Sequence, residues 1–247
     1  AIMNKPPVNR WFRFSIRTLL LFITVFACGL GWVMNERAKI ASAIAALKRY
    51  NTDVVVGTSY AEEWQQKKQL RESRSTTERF LFGETWLSDI GYIGFPWNAN
   101  KDFSDDDLAI VAVFPNLQDL DLTGTQVTGR GLVHLHGLQH LKKLDLTWTR
   151  IGDQDMQHLR GLKHLKVLVL WGTQVGDEGL KHVNGLQELN ALILEGTAVT
   201  DLGLSQLDDL PQLKSLNLDK AKVTDAGIGR LSKFRNLHSL ALVGTRV

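Results

Sequence analysis

Histidines recur along this 247-residue chain at a fixed interval. His134, His158 and His182 lie 24 residues apart, and His140 and His164 repeat that interval. Imidazole nitrogens are common zinc ligands. However, equivalent side chains on the helices of successive repeats diverge from one another. In addition, no set of cysteines or carboxylates completes a metal site. The spacing therefore favours a polar surface copied by duplication, and the sequence predicts neither a metal site nor a cofactor.

Carboxylates are the other groups whose spacing could support chemistry. Asp121 and Asp145 are also 24 residues apart. As close neighbours they could raise a pKa or hold a cation, although like-charged neighbours in a repeat array are usually only solvated. Asp208 and Asp209 indicate a solvated helix end. The chain has no phosphate loop, no GxSxG and no HExxH, and its only cysteine, Cys28, lies in an apolar segment. We therefore expect a protein without catalytic activity.

The same interval organises the whole chain from residue 117 onward. The pattern LxxLxLxxTxV begins at Leu117, Leu141, Leu165, Leu189, Leu213 and Leu237. A period of this length is typical of a solenoid, in which each repeat buries its apolar side only against its neighbours. In the third copy, Leu168 and Leu170 lie two apart, as on one face of a strand, and the apolar residues from Leu180 onward lie three apart. The pattern predicts a strand, a tight turn and a short helix, with Thr200 and Thr224 as helix caps.

These residues resemble the leucine-rich repeat family, whose strand segment is LxxLxL followed by a small polar residue. The resemblance covers Leu117 to Val247, with five full copies and one partial copy. It implies an α/β solenoid that is right-handed, with parallel strands on a concave face and short helices on a convex face. The polar position is Thr125, Thr149, Thr173, Thr197, Ala221 and Thr245. Because alanine has no hydroxyl to donate to a backbone carbonyl, we expect the turn at Ala221 to be the least well stabilised by hydrogen bonds.

In a leucine-rich repeat array the outward strand residues line the concave face, where partners usually dock, so the resemblance implies the same for this chain. We expect an exposed apolar patch at its centre, with Trp148 at the border and with Lys143, Asp145 and Glu195 around it. The patch consists of Val167, Val169, Trp171, Ala191 and Ile193. Apolar surface with a central aromatic and a charged rim is typical of an interaction site. The alternatives are that an upstream segment covers the patch, or that it is an ordinary apolar strand face.

Upstream of the repeats, residues 87–116 are interpreted as an N-terminal cap and a degenerate repeat. Its strand is expected near Ile90, Ile93 and Phe95, and Ser104 with Asp107 resembles a capping box. Residues 35–86 are expected to form a helix-strand spacer, with the helix in ERAKIASAIAALKRYN and the strand in TDVVV, followed by a polar linker. At the other end, the sixth copy stops at Val247 before its helical part, which indicates either truncation or strand addition by a partner.

An apolar segment near the N-terminus predicts a membrane anchor. Residues 18–34 carry no charge and follow a basic tail, residues 1–17. This length is at the lower limit for a bilayer-spanning helix, and Trp11, Phe12 and Trp32 could lie at the two interfaces. The alternatives are a cleaved signal peptide or a lipidated Cys28, although the residues around Cys28 form a poor cleavage site, and a buried helix of a soluble protein.

Charge supports the membrane location but leaves the orientation open. Residues 1–50 contain eight Lys and Arg residues and one acid, with four basic residues on each side of the apolar segment. The short leading tail favours a cytoplasmic N-terminus and exported repeats. The repeats contain nearly equal numbers of basic and acidic residues. They therefore lack the excess of positive charge that nucleic-acid binding requires. The layout of basic tail, apolar segment, spacer and repeats resembles the membrane-anchored leucine-rich repeat proteins of planctomycete bacteria.

Together these features predict a non-catalytic protein that recognises a protein or an envelope component from a single-pass membrane anchor. Two alternatives stay open. The chain could be an accessory or regulatory subunit of a membrane enzyme complex, or it could be a structural envelope protein. Neither the identity of the partner nor the oligomeric state follows from the residues.

Overall fold

The computed structural model describes residues 34–36, 38–50, 53–56, 90–94, 102–207 and 210–247. The chain divides into two compact units, residues 1–39 and 40–247. In the first unit the described residues are helical, and Lys39 Nζ lies 2.6 Å from Glu36 Oε1. Residues 18–33, nearly all of the expected membrane anchor, lie outside the described residues. Within the part that is described, no helix is both long and apolar enough to cross a membrane.

A sheet organises the second unit, and its described strands follow one another in chain order. They are β1 (Asp53–Val56), β2 (Ile90–Gly94), β3 (Asp119–Asp121), β4 (Lys143–Asp145), β5 (Val167–Val169), β6 (Ala191–Ile193), β7 (Ser215–Asn217) and β8 (Ser239–Ala241). β1 pairs antiparallel with β2, and every later pair is parallel. From β3 onward each residue lies opposite the residue 24 positions later, as Leu144 does with Leu168. This confirms the predicted parallel arrangement of the repeats, which we call coils one to six from Leu117.

Short helical segments follow the strands on the other side of each coil. The α-helices are α1 (Asp105–Val111), α2 (Gly129–Leu132), α3 (Asp177–Leu180), α4 (Asp201–Leu204) and α5 (Asp225–Ile228). The 3₁₀ segments are Val133–Gly137, Asp153–Leu159, Val183–Gly185 and Gly229–Lys233. The hydroxyls of Thr128, Thr200 and Thr224 each accept the backbone N–H two residues later. The two caps predicted at Thr200 and Thr224 are therefore confirmed.

The apolar residues predicted to point inward form one continuous core. In β3 to β7 the middle residue is buried and its two neighbours are half-buried, as expected when alternate side chains point to opposite faces. Leu168 and Leu170 are fully buried. After every strand from β3 to β8 except β7, where the position is Ala221, a threonine hydroxyl donates to the carbonyl oxygen three residues earlier. These pairs are Thr125 with Leu122, Thr149 with Leu146, Thr173 with Leu170, Thr197 with Leu194 and Thr245 with Leu242.

Carboxylates connect one coil to the next. The first residue of a helical segment accepts hydrogen bonds from the N-cap residue that immediately precedes the helical segment of the following coil. The pairs are Asp105 with Thr128, Asp153 with Gly176, Asp177 with Thr200 and Asp201 with Thr224, with N···O distances of 2.6 to 2.8 Å. In coil one this position is Gly129, and the amide of Gly152 donates instead to Asp155 of its own coil, at 2.8 Å. A Cβ on Gly129 would lie 1.8 Å from Asp155 Oδ1, so the Asp155 carboxylate occupies the space of the missing side chain.

The degenerate repeat precedes coil one. β2 pairs in parallel with β3, with Ile93 opposite Leu120, which confirms the strand predicted near Ile90. α1 then follows, and the Ser104 amide donates to Asp107 Oδ2 at 3.1 Å, the reach-back half of the predicted capping box.

Residues 40–48 form a helix that packs on the core of this first part of the sheet. Its residues Ile40, Ile44 and Leu47 are buried in the common core. At its end Tyr50 meets the Phe103 ring edge-on, with 5.2 Å between centroids. The sequence predicts a spacer for this helix and β1. In the structure both belong to the folded unit, because the helix spacing of its apolar residues gives it a face to bury.

Arg49 connects that helix to α1. Its Nη2 donates to Asp107 Oδ1 at 2.6 Å, and its guanidinium lies 4.7 Å from the centroid of the Tyr50 ring. Burial alone would raise the pKa of Asp107, but hydrogen bonds from Tyr50, Ser104 and Arg49 outweigh it and lower that pKa. The carboxylate therefore stays charged where three donors surround it.

The threonine hydroxyls are expected to contribute measurably to stability. Replacing Thr173 with valine keeps the shape of the side chain but removes its bond to the Leu170 carbonyl, so we expect the free energy of unfolding in urea to fall by about 1 kcal/mol. Ala221→Thr supplies the hydroxyl that coil five lacks and should raise it by a similar amount. Destabilisation by Ala221→Thr would contradict an equivalent role for this position in each coil.

Candidate interaction surface

The outward side chains of the sheet form one surface, which we call the open sheet face. It comprises the outer residues of β3 to β7 and the second residue after each strand except Thr147, which is buried: Asp119, Asp121, Thr123, Lys143, Asp145, Val167, Val169, Trp171, Ala191, Ile193, Glu195, Ser215, Asn217 and Asp219. The register sets Val167 beside Ala191 and Val169 beside Ile193. Neighbouring strands lie about 4.8 Å apart, so these side chains form a continuous apolar strip.

Two tryptophans lie at one end of this strip. Trp148 is 49% exposed, and its ring centroid lies 4.9 Å from that of Trp171, with the planes tilted by 48°. The Trp148 amide donates to the Trp171 carbonyl oxygen at 2.8 Å, which fixes the two coils together at this point. We call these residues the Trp pair. Aromatic pairs at this separation attract each other beyond the effect of burial alone.

Trp148 occupies a left-handed backbone conformation, with φ of 53°. The equivalent residues Gly124, Gly172, Gly196 and Gly244 also have positive φ, between 63° and 75°. Glycine adopts this conformation freely, whereas another residue costs about 1–2 kcal/mol. Within the described ranges, Lys220 is the other exception in this column, with φ of 59°. A half-exposed tryptophan held at such a cost is not explained by core packing, and strain of this kind clusters at functional sites.

The Trp148 ring lies on the backbone of the next coil. A Cβ on Gly172 would lie 2.4 Å from Trp148 Cδ1, whereas a Cβ on Gly196 would lie 3.8 Å from Trp171 Cδ1. Gly172 is therefore required both by its positive φ and by the ring above it. This contact fixes the orientation of the Trp pair.

Asp121 and Asp145 border the strip on the side of coil one. The register places them directly beside each other. Asp145 Oδ1 accepts from the Thr147 hydroxyl at 2.6 Å and from the Thr147 amide at 3.0 Å. Burial raises the pKa of Asp145, the charge of Asp121 adds to this, and the Thr147 hydrogen bonds partly oppose it. The two carboxylates therefore repel each other in a partly desolvated environment, where water screens their charges incompletely.

The remaining charged residues predicted for the site lie at its edges. Lys143 is beside Asp119 on one side and Val167 on the other. Burial raises the pKa of Asp119, against the opposing charge of Lys143. Glu195 lies on the far side of the strip, where its Oε1 accepts from Lys220 Nζ at 2.7 Å, a hydrogen bond that raises the pKa of Lys220.

The structure thus brings all eight of the predicted site residues onto one face or its rim, with Trp148 and Trp171 in direct contact. The histidine columns lie elsewhere, on the helical segments and in the turns before the strands. Among the residues that the structure describes, no group of three or more His, Cys, Asp or Glu side chains could hold a metal ion.

Sequence reasoning missed the backbone conformation of Trp148. The signal was present, because the column that contains it is glycine in four of six coils. It also missed the carboxylates that join the coils, although aspartate recurs at the first helical position of successive copies. Both features depend on contacts between coils, which a pattern within one copy does not reveal.

Comparison with known families agrees with this geometry. Residues 115–135, 137–159 and 161–182 match, in three consecutive units, a family model described as Leucine Rich repeat. Over these three units the chain is similar to that family. Coils four and five continue their strand register and their turns without interruption.

Two solved structures of internalins from Listeria monocytogenes are similar to the chain. Internalin C2 is 26% identical, with a TM-score of 0.49, over 65% of this chain and 74% of that chain. An internalin named inlF is 23% identical, with a TM-score of 0.50, over 62% of this chain and 48% of that chain. The chain thus spans about half the length of that second internalin, and the likeness concerns the fold alone. No curated protein matches the chain significantly. The resemblance to planctomycete membrane proteins stays a prediction.

The packing of Trp148 on Gly172 can be tested by a double-mutant cycle. Gly172→Ala and Gly196→Ala both place a side chain at positive φ, but only the first meets a ring, so we expect Gly172→Ala to lower the free energy of unfolding by about 1 kcal/mol more. In a Trp148→Gly background the two costs should become equal. If the difference persists in that background, the ring does not rest on Gly172.

The pKa shifts of two aspartates predict opposite effects of pH. The raised pKa of Asp145 means that the wild type loses stability as pH rises through that value, so Asp145→Asn should melt higher than the wild type at pH 7 and equally at acid pH. Asp201 has a lowered pKa because the Thr224 hydroxyl and amide donate to it, so Asp201→Asn should melt lower at pH 7. That deficit should vanish as pH falls through the folded pKa of Asp201. Melting temperatures from pH 7 down to about pH 2 check both, because the folded pKa of Asp201 lies below its ordinary value, and equal signs would contradict them.

Proposed function

We propose that the leucine-rich repeats form a non-catalytic recognition module that binds a protein through the open sheet face. The observation that supports this most directly is the Trp pair, since it combines an exposed aromatic, a strained backbone and an adjacent apolar strip. Repeat arrays of this type generally present an extended surface to their partners.

The composition of the face matches that of a protein interface. Tryptophan is among the residues that contribute most to binding energy, and such residues usually lie within apolar surface surrounded by polar groups. Here Val169 and Ile193 provide the apolar surface beside Trp171, while Asp145 and Glu195 provide the charged border. The side chain of Trp171 is already held by Trp148, so that binding would require little further ordering.

The proposal extends to a membrane location. Residues 18–34 are uncharged and mostly apolar, and basic residues flank them on both sides. This composition supports a single-pass anchor with a cytoplasmic N-terminus and exported repeats.

Site-specific photocrosslinking of the full chain in membranes tests the binding surface. A photoreactive residue at Val169 or Ile193 is expected to give discrete adducts with another protein, and Trp171→Ser should reduce them at least about fivefold. The matched control is Lys181, an exposed residue on the helical side, where no such adduct should form.

Three outcomes would contradict the proposal. They are equal adducts at Lys181, no adduct at either face position, or adducts only with residues 57–89 of the same chain. A stable stoichiometric complex with an enzyme would instead favour an accessory subunit. Extraction of the same membranes with alkaline carbonate tests the anchor, since a chain that spans the bilayer should stay with the lipid.

A further inference from the structure

The open sheet face carries an excess of negative charge. Its outward positions hold five carboxylates and one ammonium group: Asp119, Asp121, Asp145, Glu195 and Asp219 against Lys143. Lys220, next to this surface, is already bonded to Glu195. A partner surface that is basic would therefore be complementary, whereas an acidic one would be repelled.

The charge is not spread evenly along the face. In the row formed by the last residue of each strand from β3 to β7, the residues are Asp121, Asp145, Val169, Ile193 and Asn217. Two adjacent carboxylates are thus followed by two adjacent apolar side chains at intervals of about 4.8 Å. A chain that lies across the strands would meet acid first and apolar surface second.

The Trp pair stands beside the junction between these two parts. Trp148 follows Asp145 by three residues in the same coil, and its ring contacts Trp171 of the next coil. The face of an indole ring attracts cations, and tryptophan does so more strongly than other aromatic residues. An arginine side chain can in addition donate two hydrogen bonds to a carboxylate in one plane.

We propose that the open sheet face binds a basic-then-apolar segment of a partner protein, with an arginine or lysine held between the Asp121 and Asp145 carboxylates and the Trp pair. This inference rests on the proposed function, because it assigns chemistry to the same surface. The partial burial that disfavours the charge on Asp145 supports it, since an incoming cation would relieve the repulsion from Asp121.

Three synthetic peptides of equal length test this assignment against the full chain. The first carries arginines in one half and valines in the other, the second has glutamate in place of arginine, and the third has serine. Fluorescence anisotropy should show the arginine peptide binding at least about tenfold more tightly than either of the others, with affinity falling as salt rises.

Variants locate the binding on the face. Asp121→Asn and Asp145→Asn should each weaken the arginine peptide about fivefold, and Trp148→Gly about tenfold, with melting curves confirming that each variant folds. The matched control is Glu178→Gln, which neutralises an exposed carboxylate on the helical side and should leave the affinity unchanged.

Binding of the serine peptide as tightly as the arginine peptide would overturn the inference, and so would an equal loss with Glu178→Gln. Absence of binding by all three peptides would also overturn it. The photocrosslinking from Val169 and Ile193 is independent of these peptide results, and it tests the proposed function separately. Adducts with a partner whose crosslinked segment is acidic would keep the proposed function and reject the basic segment.

Discussion

Lateral pairing between coils is the constraint on which the rest of this fold depends. Each strand from β3 onward contributes only three residues, and its hydrogen bonds go to strands of neighbouring coils. A single coil could not bury its leucines or satisfy its backbone alone. Since pairing joins residues 24 apart, the same constraint that closes the core also aligns the outward side chains into rows. The interaction surface is in this sense a consequence of how the core is built.

Two sets of side chains, the turn threonines and the helix-start aspartates, add hydrogen bonds to those made by the paired backbones. The threonine hydroxyls act within a coil, where they bond the carbonyl at the end of the strand and shape the turn. The aspartates at the starts of the helical segments act between coils, where they accept hydrogen bonds from the N-cap amides that precede the next helical segment. The first set determines where the chain turns, and the second keeps the helical side in register with the sheet. Glycine at positive φ lets the backbone of the turn pass close to its neighbour.

Much of this architecture could be predicted from the sequence, because it follows from periodicity. Leucine spacing gave the inward faces, and threonine before Asp201 and Asp225 indicated the caps. The register of the strands followed from the strict interval. Trp148 was placed near the apolar patch, but its strained φ was not predicted, since patterns of burial carry no information about the sign of φ. The helix over 40–48 was predicted as a helix, but its packing onto the first strands depends on contacts distant in sequence, such as Tyr50 with Phe103.

Gly129 has a mechanical consequence for the array. Everywhere else along the described helical side from Asp105 to Thr224 an aspartate bridges adjacent coils, but at Gly129 the carboxylate belongs to Asp155, which bonds its own coil. In a chain of units coupled only to their nearest neighbours, the weakest coupling decides where cooperativity breaks. On their helical sides, coils one and two lack the aspartate bond that joins the other described pairs, although Lys142 still donates to Gln118 across this boundary. We expect fraying from the N-terminal end to stop there, which would leave the coils that carry Trp148, Trp171 and the apolar strip intact.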